Sequence, residues 1–243
     1  MSAGRHPIAT IRHLPLLAAV LLLTGAAELP KDGPLPAARP ESRAIEAPED
    51  KVEPRPQEDA GEQAACRTAL KEAGAVFAEA PAVEDGRACG IERPVTLKAL
   101  AGGIEVEPDA TVRCEAALQL ARWVEGSVKP AIAVAMPKEA ITGLSQASAY
   151  VCRNRNGAPE GKISEHAFGN AIDIAGFTLK SGKTLAIRPA DRDATLEGAF
   201  QRAITEAACL YFTTVLDPGS DAAHQNHLHL DVKARRGGYR YCW

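Results

Sequence analysis

The hydrophobic and polar positions divide the chain into three segments. Positions 14–23 are almost entirely apolar, whereas residues 28–63 contain hardly any large apolar side chain. In residues 64–243 the apolar positions recur at the intervals of helices and strands. Because only this last segment has enough apolar residues to bury a core, the pattern predicts one folded domain over residues 64–243.

Three stretches of this domain have the periodicity of an amphipathic helix. They cover residues 64–74, 109–126 and 194–210, and the first ends at Gly74, a residue type common at helix C-termini. The side chains predicted to face the core are Val112, Ala116, Leu120, Trp123 and Val124 in the second helix, and Leu196, Phe200, Ala203 and Ala207 in the third.

Five short runs have the composition or the alternation of strands. They are residues 147–153, 171–177, 184–188, 211–216 and 226–232. This order of elements predicts an α+β fold, with a single mixed or antiparallel sheet and packed helices.

Two of the predicted strands carry polar residues in apolar surroundings. Asp173 interrupts an apolar run, where a carboxylate is tolerated only if it is paired, hydrogen-bonded or bound to a metal. His227, His229 and Asp231 alternate with leucines, so the three polar side chains share one face of their strand while the leucines face the core.

His166, Asp173 and His229 together have the composition of a catalytic zinc site. Such a site takes three ligands from His, Asp or Glu and leaves a fourth position for water, whose pKa zinc lowers to about 7. Gly169 allows the loop after His166 to turn sharply and to return the histidine towards the strand of Asp173. We therefore expect one bound Zn²⁺.

Two longer patterns resemble known families. Ser-x-His-x-x-Gly-x-Ala-x-Asp from Ser164, followed by His-x-His from His227, resembles the zinc D-Ala-D-Ala peptidases and murein endopeptidases, a group that includes lysostaphin-type enzymes and the hedgehog signalling domain. A closer resemblance covers residues 64–243 and includes two further motifs, Cys-Arg-x-Arg-Asn-Gly from Cys152 and His-x-x-His-x-His-Leu-Asp from His224. With these motifs the segment is similar to bacterial proteins of the extensin-like C-terminal domain family. The resemblance implies a zinc peptidase-like domain.

Amide hydrolysis needs groups that accept a proton, stabilise an oxyanion and protonate the leaving amine. His227 shares the face of His229 and is our candidate general base or oxyanion stabiliser. His224 is a candidate proton donor, or it caps a turn, and Asp231 is a candidate partner that orients a histidine. The similar dipeptidases use a glutamate from another motif as the base, so its identity here stays open.

The remaining polar residues of the motifs have alternative roles. Arg153 lies where the similar peptidases have an arginine, which implies binding of a substrate carboxylate or carbonyl oxygen, and an ion pair is the alternative. Ser164 either binds substrate or caps a turn. Glu165 is expected to point to solvent.

The six cysteines lie in the predicted domain, at positions 66, 89, 114, 152, 209 and 242. An even number in an exported chain, without a Cys-x-x-Cys pair, indicates three disulfides rather than a thiolate metal site. Their pairing cannot be read from the spacing, and sequence neighbours are the default. Any bridge to Cys242 would hold the last residues close behind the histidine-bearing strand.

The N-terminal segments indicate export. Residues 1–27 have the basic, apolar and small-residue order of a cleavable signal peptide, with cleavage near Ala26 or Ala27, and an uncleaved anchor is the alternative. Residues 28–63, rich in proline and charge, are expected to form a disordered tether. We expect a periplasmic or otherwise exported monomer without a stable membrane span after cleavage.

The net charge of −3 and the scattered lysines and arginines give no electrostatic footprint for nucleic acid. The hypothesis is a zinc metallopeptidase that cleaves D,D- or L,D-amide bonds in the stem peptides or cross-links of peptidoglycan. The alternatives are a zinc-containing wall-binding or signalling module without turnover, and a metal-free domain held by disulfides. A serine hydrolase that uses Ser164 is disfavoured because no Gly-x-Ser-x-Gly motif occurs.

Overall fold

The structure is a computed structural model that describes residues 55–86 and 88–243. The predicted signal peptide and residues 28–54 of the predicted tether lie outside the described residues. The end of the tether segment is ordered, which corrects the expectation of disorder there. Glu58 is buried and accepts hydrogen bonds from the backbone N–H groups of Glu92 and Arg93, and the first helix begins at Ala60.

The described residues form four α-helices and eleven strands. The helices are α1 (Ala60–Glu72), α2 (Cys114–Trp123), α3 (Lys129–Ala135) and α4 (Leu196–Ala208). The strands are β1 (Val76–Glu79), β2 (Val83–Glu84), β3 (Gly90–Ile91), β4 (Val95–Leu100), β5 (Ile104–Val112), β6 (Ile141–Ser148), β7 (Ala171–Leu179), β8 (Thr184–Ala186), β9 (Thr214–Leu216), β10 (Leu228–Asp231) and β11 (Tyr241–Cys242).

One mixed sheet organises the molecule. Its strand order is β1-β4-β5-β6-β7-β10-β9-β11, with β8 also paired to β7, and β2 and β3 form a separate pair. The β5–β6 and β9–β11 pairings are parallel and the others in this sheet are antiparallel. The predicted α+β class with a mixed sheet and packed helices is therefore confirmed.

The main core lies between the helices and one face of this sheet. Trp123 of α2 is fully buried, contacts Phe177 of β7 and Phe212, and donates its indole N–H to the carbonyl oxygen of Ile204 in α4 at 2.9 Å. Burial of such large aromatic side chains dominates core energetics. The opposite face of β7 and β10 is left for polar side chains.

The predicted helices agree with the structure to different degrees. The first has the expected cap at Gly74, whose φ is +76°, but begins earlier because Asp59 accepts from the N–H groups of Gly61 and Glu62. The second was wrong at its start, since residues 109–112 belong to β5, and the helical conformation continues beyond residue 126 through a π-helical turn (Val124–Val128) into α3.

The third predicted helix is confirmed as α4, but part of its predicted inner face was wrong. Phe200 is buried as expected, together with Ile204 and Ala208. Leu196 is 65% exposed and Ala203 is exposed, because the buried stripe follows the spacing of four residues from Phe200.

Four predicted strands are confirmed as β7, β8, β9 and β10. The prediction of a strand over residues 147–153 was wrong, since β6 ends at Ser148 and Arg153 lies in the following loop. The strands β1 to β5 were missed, as was β11. Several of them, such as β2, β3 and β11, are only two residues long and therefore too short to show a periodic pattern.

Three disulfides are present, as predicted: Cys66–Cys114, Cys89–Cys152 and Cys209–Cys242. Among the described residues no cysteine is free. Sequence neighbours pair only in Cys209–Cys242, because the other two bridges follow contacts between elements distant in sequence. Within residues 55–86 and 88–243, no helix has the length and apolar character needed to cross a membrane.

Candidate metal centre

Asp173 and His229 face each other across adjacent strands. They are register partners in the β7–β10 pairing, and the Asp173 Oδ1 lies 2.9 Å from His229 Nδ1. Their chain neighbours Ile172, Ile174 and Leu230 point into the hydrophobic core from the other face. The strand alternation therefore places an acid and a histidine together, both buried, on the face away from the helices.

A short 3₁₀ turn (Glu165–Phe168) brings His166 to this pair. Ser164 caps the turn by accepting from the His166 backbone N–H at 3.4 Å, and Gly169 ends it with φ of +67°. A Cβ atom at Gly169 would lie 2.3 Å from the Cδ1 of Ile91 and 3.0 Å from the backbone nitrogen of Arg113. The turn thus requires glycine for both conformation and space, as predicted from the sequence.

Three ligand-type atoms converge at the turn. His166 Nε2 lies 3.1 Å from both Asp173 Oδ1 and His229 Nδ1. In a tetrahedral site with bonds of about 2.0–2.1 Å, neighbouring ligand atoms are about 3.3 Å apart. The observed separations are within a few tenths of an ångström of that value. This buried His-Asp-His group can hold a metal ion.

The outer nitrogens of both histidines are occupied by hydrogen bonds. His166 Nδ1 lies 2.7 Å from the carbonyl oxygen of Ala149, which only accepts, so Nδ1 carries the proton and Nε2 is left for a metal. His229 Nε2 lies 3.2 Å from Asp231 Oδ2, which leaves Nδ1. Outer partners of this kind are usual for metal-binding histidines.

Asp231 is itself fixed by neighbours. The Thr214 hydroxyl donates to Asp231 Oδ1 at 2.6 Å, and the Lys233 backbone N–H donates to the same oxygen at 3.0 Å. The carboxylate is buried, and its position beside His229 is the one predicted for an orienting residue. Thr214 was not predicted, since its place beside Asp231 depends on the β9–β10 pairing.

The electrostatics of the group favour the charged form of Asp173. Burial would raise the pKa of this carboxyl, but hydrogen bonds with His166 and His229 outweigh burial and hold its pKa well below the ordinary range. Burial lowers the pKa of His229, yet hydrogen bonds with Asp173 and Asp231 outweigh it and raise the pKa to about 9. Without a metal, His229 is therefore protonated and lies between the carboxylates of Asp173 and Asp231.

His227 lies at the edge of the group rather than within it. Its Nε2 is 3.8 Å from Asp173 Oδ2, and its Nδ1 lies 3.0 Å from Asn226 Oδ1. The side chain is 15% exposed, and burial lowers the pKa of this imidazole despite the attraction of Asp173. His227 is therefore neutral at pH 7, mostly buried, and next to the outer oxygen of the Asp173 carboxylate.

Two further predicted residues border the same space. Arg153 Nη2 lies 3.9 Å from Asp173 Oδ2, so its guanidinium faces the buried carboxylate. His224 is buried on a turn capped by Asp221, with Nδ1 2.6 Å from Asp221 Oδ1, and its ring centre is 5.1 Å from that of His227. His224 therefore lies in a turn, and also beside the other histidines.

Cavities open on two sides of the group. One, of about 150 Å³, is lined by Ser164, His166, His229 and several basic side chains. The other, of about 310 Å³, is lined by Asp173 and His227. The two cavities share Arg153, Asn156 and His224 in their linings, so they meet at the candidate metal centre.

The expectation that Glu165 points to solvent was wrong. Its carboxylate is buried and accepts from Asn170 Nδ2 at 2.9 Å and from Lys233 Nζ at 2.6 Å. Asn170 Oδ1 in turn accepts from Arg113 Nη1 at 3.2 Å, which ties the turn of His166 to the start of α2. Sequence reasoning missed this network because Arg113 and Lys233 are far in the chain from Glu165 and Asn170, although Lys233 continues the two-residue spacing of His229 and Asp231.

A comparison with protein families gives one result. The family model described as extensin-like protein C-terminus matches residues 64–243, which contain the whole candidate metal centre. No curated protein and no solved structure matches the chain.

Proposed function

The chain belongs to the extensin-like protein C-terminus family, and from that premise we propose that it is an exported zinc-dependent hydrolase of amide bonds in peptidoglycan stem peptides or their cross-links. The observation that carries the proposal is the convergence of His166, Asp173 and His229, with the neutral imidazole of His227 beside them. The resemblance of the motifs to zinc D-Ala-D-Ala peptidases and murein endopeptidases suggests the substrate.

The donor set suits zinc. Two imidazole nitrogens and one carboxylate oxygen are ligands typical of catalytic zinc, and they leave room for water or substrate at a fourth position. Bound zinc would supply Lewis acidity and lower the pKa of water. Ala149 and Asp231 hold the two histidine rings in orientation through their outer nitrogens.

His227 is the residue proposed to move a proton. Asn226 Oδ1 accepts from its Nδ1, which leaves Nε2 unprotonated and directed to the side of Asp173. A neutral imidazole in this position can take a proton from the attacking water and later give it to the leaving amine. His224, held by Asp221, is proposed to assist as a second proton donor.

Arg153 and Ser164 are proposed to bind substrate. The Arg153 side chain is one-third exposed and borders both cavities, so its guanidinium can reach a carboxylate or a carbonyl oxygen of a bound peptide. Ser164 lines one cavity, although its hydroxyl also caps the turn of His166. The two cavities suit a substrate that continues on both sides of the bond to be cleaved.

The compartment and the assembly state belong to the same proposal. Three disulfides favour an oxidising compartment such as the periplasm, which is where peptidoglycan is remodelled. We infer that the protein acts as a monomer and has no nucleic acid partner, consistent with its net charge of −3.

Mass spectrometry of purified muropeptides incubated with the zinc-loaded protein tests this function. We expect products that have gained one water at an amide bond of the stem peptide or cross-link, and no product when a chelator is present. If the zinc-loaded protein cleaves neither cross-linked muropeptide dimers nor uncross-linked monomers, the proposal is contradicted and a wall-binding module is favoured.

A further inference from the structure

The edge strand β11 presents its side chains in a defined way. It pairs with β9 in parallel register, with Tyr241 beside Thr214 and Cys242 beside Val215. Val215 is buried in the core, and Cys242 is bonded to Cys209 at the end of α4. Because side chains alternate along a strand, Tyr241 lies on the opposite face, with Thr214, and it lines the cavity of His166 and His229.

Tyr241 belongs to a row of exposed rings. Tyr241 and Trp243, here called the aromatic ledge, are 41% and 61% exposed, and Tyr239, which precedes them at the same two-residue spacing, is 62% exposed. The other large hydrophobic side chains exposed in the described part of the chain are aliphatic and scattered. An exposed aromatic cluster beside a polar cavity is typical of a ligand-binding surface.

The aromatic ledge is held in place although its rings are exposed. The backbone N–H groups of Tyr241 and Trp243 donate to the carbonyl oxygens of Thr213 and Val215 at 2.8 and 3.0 Å. The indole N–H of Trp243 donates to the Tyr241 hydroxyl at 2.7 Å, which joins the two side chains. With the Cys209–Cys242 bridge, these contacts make a preorganised surface, and preorganisation lowers the entropic cost of binding.

We propose that the aromatic ledge binds the glycan strand of peptidoglycan, while the attached stem peptide enters the adjoining cavity. This inference rests on the proposed function, which supplies a substrate in which sugar and peptide are joined. The faces of pyranose rings present C–H groups that stack on Tyr and Trp, and their rims present hydroxyl and acetamido groups. The ledge matches this chemistry with flat rings and with the Tyr241 hydroxyl.

The cavity next to the ledge suits the peptide part of that substrate. Its lining includes the basic side chains Arg153, Arg155, Lys233 and Arg235 against the carboxylates Glu165 and Asp231. Basic groups outnumber acidic ones there, which favours the carboxylates of a stem peptide. Tyr241 forms part of both surfaces, so one ligand can extend from the rings to His229.

A sugar probe without a stem peptide tests the inference separately from hydrolysis. The probe is a soluble β-1,4-linked tetramer of N-acetylglucosamine, titrated into the full chain by calorimetry and by tryptophan fluorescence. The chain has two tryptophans, and because Trp123 is fully buried, a change in emission on binding reports Trp243. We expect saturable binding with such a change.

Ring variants locate the binding surface. Trp243→Ala and Tyr241→Ala should each weaken binding of the tetramer by about tenfold, the loss expected for one aromatic contact. Trp243→Phe keeps a ring but loses the N–H to Tyr241, so its loss should be smaller. Leu196→Ala, which removes an equally exposed side chain on α4, is the matched control and should bind as the wild type does.

Absence of tetramer binding by the wild type, or equal binding by the Trp243→Ala protein, would overturn the inference. Binding of the tetramer without cleavage of any muropeptide would support the ledge and contradict the proposed hydrolase. Cleavage of a muropeptide without tetramer binding would support the proposed hydrolase and contradict the role of the aromatic ledge. If Tyr241→Ala fails to fold, the fluorescence of the wild type, together with calorimetry of the Trp243→Ala and Trp243→Phe proteins, still decides the outcome.

Discussion

Both ring nitrogens of His229 lie beside a carboxylate, at 2.9 Å from Asp173 and at 3.2 Å from Asp231. In the metal-free protein the buried histidinium is therefore stabilised, and a metal has to displace a proton to reach Nδ1. The sequence predicted these three residues because an acid in an apolar run and alternating polar residues in a strand both need a partner. It did not predict the buried Glu165, whose partners Asn170 and Lys233 approach only in the folded chain.

Metal content should follow the three converging atoms. The zinc-loaded protein should contain about one zinc per chain, and His166→Ala, Asp173→Ala or His229→Ala should each abolish stoichiometric binding, because two remaining ligands hold zinc weakly. Metal analysis after desalting measures this. His224→Ala is the control that keeps its zinc, and full zinc content in Asp173→Ala would remove that residue from the ligand set.

Zinc affinity should depend on pH through His229. The pKa of His229 is raised to about 9, so its imidazole is protonated at pH 7 and zinc competes with that proton. Affinity should therefore rise by about tenfold per pH unit from 7 towards 9 and level off above it. Asp231→Asn removes one carboxylate, lowers this pKa and should move the levelling to lower pH.

Competition with a chromophoric chelator, corrected for its own pH dependence, measures this affinity. A wild-type affinity that is unchanged between pH 7 and 9 would contradict the electrostatic description of His229.

At the scale of elements, the centre depends on one turn and two paired strands. The strand β7 was predicted from its apolar run and β10 from the alternation of leucines with polar residues, and the turn from Gly169, a residue type that permits a sharp turn. The end of β5 was instead assigned to the second predicted helix, because Val112 also fits the helical spacing of Ala116 and Leu120. The position of the Tyr241 ring beside the cavity of His229 became visible only through the pairing of β11 with β9.

Gly169→Ala should damage both stability and zinc binding. The backbone at Gly169 has φ of +67°, and the new Cβ would meet the side chain of Ile91 and the backbone of Arg113. The control Gly182→Ala carries a similar backbone penalty, with φ of +83°, but nothing lies within 4 Å of its Cβ. Denaturant unfolding should show a loss at least about 1 kcal/mol larger for Gly169→Ala.

Zinc titration of the same two variants separates the turn from general stability, and only Gly169→Ala should bind zinc more weakly. Equal unfolding free energies for the two variants would show that the space at Gly169 does not restrict the turn.

At the scale of the whole molecule, three disulfides cross-link elements that are distant in sequence. Their number could be predicted from an even cysteine count, but the pairing could not, because six cysteines allow 15 connectivities. Cys66–Cys114 forms only because α1 packs beside α2, a contact between elements that local pattern does not reveal.

The exported protein should show no free thiol under denaturing, non-reducing conditions, and it should begin near Glu28 if its signal is cleaved. Thiol titration and N-terminal sequencing measure these two properties. Six reactive thiols in native material would contradict the assignment to an oxidising compartment. The reduced protein should be less stable, since each bridge contributes about 2–4 kcal/mol.

The most direct test of the central claim compares the rate at which zinc-loaded wild type and His227→Ala hydrolyse one purified cross-linked muropeptide. Because His227 is outside the three converging atoms, the variant should keep its fold and its zinc. Its rate of hydrolysis should nevertheless fall by at least about 100-fold, which is the lower end of the contribution of one general acid–base group. A wild type that does not cleave would contradict the hydrolase, and equal cleavage by both proteins would contradict the role of His227.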